Sequence, residues 1–190
     1  ERSFSFTSKN FLNMEMGINK HQVYDIINTL DVNHLSNIIK ILGEEKDGKK
    51  IAKAICKQRT KGLIKTSEEL VEIIKSSKKN YKNFKRNPAT KTFQALRVFV
   101  NQELTELIQA LSEATKIIKK DGILIFVSFH SLEDRIIKYF FNFYSNLRKN
   151  PSRYLPSKNE KFQLFNFALK KPLRPLKNEI NENNNSRSAK

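Results

Sequence analysis

Apolar residues recur at helical spacing through the first half of the chain. Val23, Ile26, Ile27 and Leu30 fall at i, i+3, i+4 and i+7, and Leu35, Ile38, Ile39 and Leu42 repeat that interval. Gly43 is placed to end the second helix. A third short helix is expected around Lys49–Gln58. Thr66-Ser67-Glu68-Glu69 ahead of Leu70, Val71, Ile73 and Ile74 reads as a capping box opening a fourth. Residues 1–18 lack a period and are expected to form a connecting loop with Phe4, Phe6 and Phe11 as buried anchors. Residues 19–86 then form a compact all-α domain, closed by the break at Asn87-Pro88.

Beyond the break the pattern changes. Phe93, Leu96, Val100, Leu104, Leu107, Leu111, Ala114 and Ile118 are spaced three and four apart and predict one long helix. Asp121-Gly122 supplies a turn. Ile123–Phe129, apolar except for Ser128, suits a strand buried on both faces. Ile136, Ile137, Phe140, Phe141 and Tyr144 share one face of a following helix, and Phe162–Leu169 fits a further strand. Helix, turn, buried strand, helix is half of a doubly wound α/β fold. This second domain is expected over residues 87–177. The Asn-rich stretch 178–190 is expected to be disordered.

Composition narrows the chemistry. A single cysteine, Cys56, excludes a disulfide framework or thiolate metal site, and its neighbours Ile51, Ala54 and Ile55 suit a small buried apolar residue. His21, His34 and His130 are too scattered to suggest a metal set. No signal peptide and no apolar run near 18 residues is present, so a soluble cytoplasmic protein away from membranes is expected. The net charge is +17 and it is clustered. Residues 40–91 carry 16 Lys and Arg against 6 Asp and Glu, and residues 135–190 carry 13 against 3. Two basic segments flanking a near-neutral one fit a phosphate backbone as partner. The competing explanation is genome composition, since lysine outnumbers arginine and asparagine and isoleucine abound.

The candidate chemistry lies where the apolar strand ends. His130-Ser131-Leu132-Glu133-Asp134-Arg135 places an imidazole, a hydroxyl, two carboxylates and a guanidinium at the point where open α/β sheets bind ligands. Ser131 and Asp134 also stand at the spacing of a helix N-cap and its third helical residue, so capping alone would account for both. A second candidate is the stretch after Pro88. There Thr90, Lys91, Thr92 and Arg97 follow a turn at a helix start, where backbone N–H groups and cations can hold a phosphate. An ordinary helix entrance capped by Thr90 or Thr92 is the alternative.

The string Ser128-Phe129-His130-Ser131-Leu132-Glu133-Asp134-Arg135 resembles the signature of the RsmH (also called MraW) family of ribosomal-RNA cytosine-N4 methyltransferases. Glu1–Phe6, Gly43-Glu44-Glu45, Asn87–Arg97 and Lys170–Pro175 agree with the family in the same order. Asn13–Gly17 and Lys46-Asp47-Gly48 depart from its pattern. The resemblance implies the later part of a class I S-adenosylmethionine methyltransferase (Rossmann-like) sheet with an inserted all-α RNA-recognition domain at 19–86. Members of that family are longer and hold the cofactor with an early Gly-rich loop. The five glycines here, at 17, 43, 48, 62 and 122, are too dispersed to form such a loop. The chain is therefore expected to be a C-terminal portion, inactive alone, with no cofactor-binding residue of its own identified.

By the same resemblance, the reaction is methyl transfer to a cytosine N4 in 16S ribosomal RNA, with that RNA or the small ribosomal subunit as partner. His130, Ser131 and Glu133 are then the candidate catalytic residues, and Lys91, Thr92, Arg97 and Arg135 the candidate RNA-binding residues. The alternative is a basic RNA-binding module without chemistry of its own.

Overall fold

The structure, a computed structural model, describes residues 11–17, 21–78, 87–145, 163–169 and 171–190. The chain divides into two units, Glu1–Glu103 and Leu104–Lys190. The anchors Phe4 and Phe6, the motif Glu1–Phe6, and residues 79–86 lie outside the described residues.

The first unit is a bundle built on the anticipated helices. They are α1 (Val23–Thr29), α2 (Val32–Leu42), α3 (Gly48–Arg59), α4 (Ser67–Ser77) and α5 (Thr90–Val100). Their apolar stripes meet in one core holding Ile27, Leu35, Ile39, Ile55, Ile74 and Leu96. Asp31 caps α2 by accepting from the backbone N–H groups of Asn33 and His34. The capping box on α4 forms as expected, Thr66 accepting from Glu69 N–H and the Glu69 carboxylate accepting in return. Cys56 is partly buried and packs against the core.

Gly43 ends α2, but with an ordinary right-handed φ of −94°. Space, rather than a left-handed backbone, demands glycine there. A Cβ would lie 2.5 Å from the Lys91 carbonyl oxygen and 2.6 Å from that of Ile39. The loop that follows is locked by a buried ion pair. Lys78 Nζ donates to Glu45 Oε2 at 2.7 Å and also to the Pro88 carbonyl, with the two side chains 4% and 8% exposed.

Two boundaries differ from those expected. The division falls after Glu103 rather than before Asn87, because Phe93, Ala95, Leu96 and Val100 bury α5 in the helical core. The expected long helix is also two, α5 and α6 (Glu103–Ile117). Between them Gln102 takes a left-handed φ of 51°. Asn101 causes the break by diverting backbone partners. Its side-chain amide donates to the carbonyls of Arg97 and Met14 and accepts from Met16 N–H at 2.7 Å, clasping the segment 13–16 to the end of α5.

The second unit contains α7 (Ser131–Tyr144), α8 (Lys177–Glu182) and a 3-10 turn at Asn184–Ser188. The tail expected to be disordered thus carries helical turns, started by Asn183 accepting from Asn185 N–H. The turn before the apolar run forms with Asp121, not Gly122, in the left-handed region. Residues 123–129 are extended, but among the described residues no β-strand forms, so the α/β sheet is not seen. Ser128 and Lys190 exchange two backbone hydrogen bonds of 3.0 Å, a single antiparallel rung. Burial on both faces fails as well: Ile123 and Ile125 are each 79% exposed, because no described neighbour covers their side.

Residues 163–169, the described part of the expected strand from Phe162, are likewise not a strand. They join α7 through rings, Phe165 meeting Phe140, Phe141 and Tyr144, and Phe167 meeting Phe141. No helix among the described residues is long and apolar enough to cross a membrane.

Candidate active site

The entrance of α7 gathers the expected cluster. His130 has the extended backbone of an N-cap, and its Nδ1 accepts from Glu133 N–H at 3.4 Å. Glu133 returns the contact, Oε2 accepting from Phe129 N–H at 2.9 Å and His130 N–H at 3.3 Å. The cap therefore sits one residue earlier than Ser131. The capping box is built by the two residues that the sequence marks as candidate catalysts, and Ser131 becomes the first, exposed residue of the helix.

Because Nδ1 accepts a backbone proton, a neutral His130 carries its own proton on Nε2. That nitrogen lies 3.2 Å from Glu133 Oε1 but out of line, so it is buried without a hydrogen bond among the described residues. Burial pushes the Glu133 carboxyl upward, but the His130 imidazole and the backbone N–H groups of Phe129 and His130 outweigh it. The group is held below the ordinary value of 4.5. Asp134 is also lowered: its partial burial is opposed by Lys138 at 2.7 Å and Lys190 at 3.0 Å. The site therefore holds two carboxylates and a hydrogen-bond donor at neutral pH.

A cavity of about 460 Å³ opens at this point. His130, Ser131, Arg174, Arg187 and Lys190 are among the residues that line it. Sequence reasoning marked the Lys170–Pro175 motif without giving Arg174 a role, and it read the tail that holds Arg187 as disordered. Arg135 is exposed and engaged in contacts of its own.

The α5 entrance is occupied by its own structure. Its N-cap position is Ala89, without a side-chain cap, and the turn before it is held by Asn87, Oδ1 accepting from Ala89 N–H and the carbonyl from Thr90, so neither Thr90 nor Thr92 serves as cap. Lys91 Nζ donates to the Glu44 carbonyl at 2.9 Å. Arg97 forks the Glu103 carboxylate at 2.7 and 3.0 Å. Thr92 is fully buried, its hydroxyl without a hydrogen-bond partner among the described residues.

A helix-capping His–Glu pair stands beside a cavity lined in part by Arg174, Arg187 and Lys190, and relatives give it a lineage. All of residues 1–190 match the MraW methylase family, and the chain belongs to that family. Three curated relatives are each named ribosomal RNA small subunit methyltransferase H. That of Sulfurihydrogenibium sp. is 42% identical over 192 residues, spanning 100% of this chain and 60% of the relative. That of Sulfurihydrogenibium azorense is 41% identical over 191 residues, spanning 100% and 60%. That of Caldicellulosiruptor saccharolyticus is 41% identical over 191 residues, spanning 100% and 62%. The chain thus spans about 60% of the length of the relatives it matches.

Proposed function

We propose that this chain is the substrate-facing part of an S-adenosylmethionine-dependent methyltransferase that modifies the N4 amino group of a cytosine in 16S ribosomal RNA. The observation that carries the reading is the His130–Glu133 pair at the α7 entrance, in a chain whose full length matches the MraW methylase family. We place the protein in the cytoplasm, with the small-subunit RNA as partner, and its methyltransferase domain on a class I sheet of which residues 123–129 are one strand. Residues 19–86 serve as the inserted RNA-recognition domain.

The exocyclic nitrogen of cytosine has its lone pair delocalised into the ring. An acceptor at one N–H aligns it, and the same acceptor can take the proton released when the nitrogen gains a fourth bond. In this reading Glu133 is that acceptor. Its Oε2 is committed to backbone N–H groups, which fix the carboxylate, while Oε1 keeps lone pairs to spare. His130 positions that carboxylate by accepting from Glu133 N–H through Nδ1. Lys91, Arg97 and Arg135 stay assigned to the RNA-facing side, with Lys91 and Arg97 having to exchange internal partners to reach a phosphate, whereas Thr92 is fully buried and leaves that set.

The described residues do not fit the cofactor. Gly43, Gly48 and Gly122 lie against the chain's own atoms and Gly17 and Gly62 have nothing within 4 Å, so none forms a cradle for close backbone approach to a nucleoside. We assign cofactor binding to residues outside those described.

The same observation favours a second reading, an RNA-binding module without chemistry. One experiment separates them: the product of the complete reading frame encoding this chain, incubated with small-subunit ribosomal RNA and labelled S-adenosylmethionine. Label recovered as N4-methylcytidine is expected. Label on another base sinks the cytosine assignment, and RNA binding without label favours the module.

A further inference from the structure

The cavity at the α7 entrance has a composition that the base-directed chemistry does not use. Its lining includes Arg174 and, from the tail, Arg187 and Lys190, and neither Arg174 nor Arg187 has an acidic partner among the described residues. Lys190 shares its charge with Asp134 at 3.0 Å, so the two guanidiniums carry the free positive charge. The floor is the start of a 14-residue helix, where the aligned peptide dipoles leave partial positive charge. Ser128 and Ser131 add hydroxyls at the rim. His130 Nε2, on a side chain only 9% exposed, is a buried donor without a hydrogen bond. Two unpaired guanidiniums, a helix start and an unused donor around one space are the parts of an oxyanion site, and guanidinium suits phosphate because its fork can bind two oxygens at once.

We propose that this cavity holds a phosphodiester of the RNA strand, adjacent to the nucleotide presented to His130 and Glu133. The proposal rests on the RNA-methyltransferase reading above and adds to it the residues that grip the backbone. It moves backbone recognition from the α5 entrance, where Lys91 and Arg97 are internally engaged, to Arg174 and Arg187. The tail then has a role: the reciprocal Ser128–Lys190 hydrogen bonds hold it beside the α7 entrance, and Arg187 lines the same cavity as Ser131.

The test uses the 190-residue chain and a 12-nucleotide single-stranded RNA as probe. Three proteins are compared: the parent, Arg174→Ala/Arg187→Ala, and the charge-matched control Lys119→Ala/Lys120→Ala. Both arginines are exposed, so their removal leaves the fold intact, which circular dichroism checks. The pocket variant is expected to lose about tenfold in affinity, and its slope of log affinity on log salt should flatten by about 0.7, as for one lost phosphate contact on a single strand. The control should stay within about twofold of the parent. Inorganic phosphate, at constant ionic strength, should compete only in the millimolar range. Equal losses in pocket and control variants, or an unchanged pocket variant, overturn the pocket while leaving the RNA reading standing. Micromolar competition by phosphate makes it a free-anion site and overturns the RNA assignment of the cavity. A parent that shows no saturable RNA binding overturns the RNA reading and the pocket together.

Discussion

His130 and Glu133 close the N-terminus of α7, and His130 also lines the cavity, so stability and turnover must be read together on each variant. Glu133→Gln keeps an oxygen able to accept from Phe129 and His130 N–H but lacks the charge, so its melting temperature should fall by less than that of Glu133→Ala. Turnover of the complete reading frame's product should fall at least tenfold, about 1.4 kcal/mol of transition-state stabilisation. Glu133→Ala removes the box and should cost about 1 kcal/mol of stability as well. A Gln variant with normal turnover would leave Glu133 a cap and nothing more.

Acid should loosen the same entrance. Glu133 has a folded-state value below its ordinary 4.5. Its contribution is therefore fully present above 4.5 and is lost as pH falls through that lower value, with Asp134 acting in the same direction. The melting temperature of the parent should fall as pH drops through that lower value, and Glu133→Ala should remove part of that fall.

At the Glu45–Lys78 pair, removing one partner strands a charge in the helical core. Glu45→Ala should cost about 3–5 kcal/mol, whereas the double replacement Glu45→Leu/Lys78→Met should recover much of that loss. Urea denaturation measures both, and equal single and double losses would show that packing, not charge, is what matters there.

Elements followed the hydrophobic period wherever their partners were near in sequence. α1 to α4 and the Thr66 box were legible because each stripe and cap is written within one helix. The break at Asn101 was not, since it depends on an amide reaching Met14 and Met16, more than 80 positions away. The run 123–129 forms no strand and its burial was not legible, because an apolar run's own residues do not say which neighbours pair with it or cover it. At the site, the cluster His130–Arg135 was visible as a string. Its cavity was not, because part of the lining comes from Arg174 and Arg187. Gly43 shows how a correct position can have a different reason. It ends α2 as expected, yet the close approach of the Lys91 carbonyl is what excludes a side chain. Gly43→Ala should cost about 1–3 kcal/mol through forced backbone shifts. An alanine variant as stable as the parent in denaturant would show that the α2–α5 contact gives way easily.

For the whole molecule, the question is whether +17 is a binding property or a by-product of lysine-rich composition. The distribution argues for binding. Lys49, Lys53 and Lys57 recur four apart along α3 and are all exposed, which lays cations on one helical stripe, while the core-facing Ile51, Ala52 and Ile55 occupy another. A second basic surface lies in residues 135–190, including Arg174 and Arg187. If these surfaces follow an RNA backbone, counterions are released and affinity falls with salt. With four neutralised phosphates on single-stranded RNA, the expected slope is about −2.8, or about a 50-fold loss between 50 and 200 mM salt. Charge that merely reflects composition predicts a weak, shallow response. Replacing Lys49, Lys53 and Lys57 by Gln decides which surface carries the effect: the slope should flatten by about 2 if the α3 stripe lies on the backbone, and should stay unchanged if only the α7 entrance does.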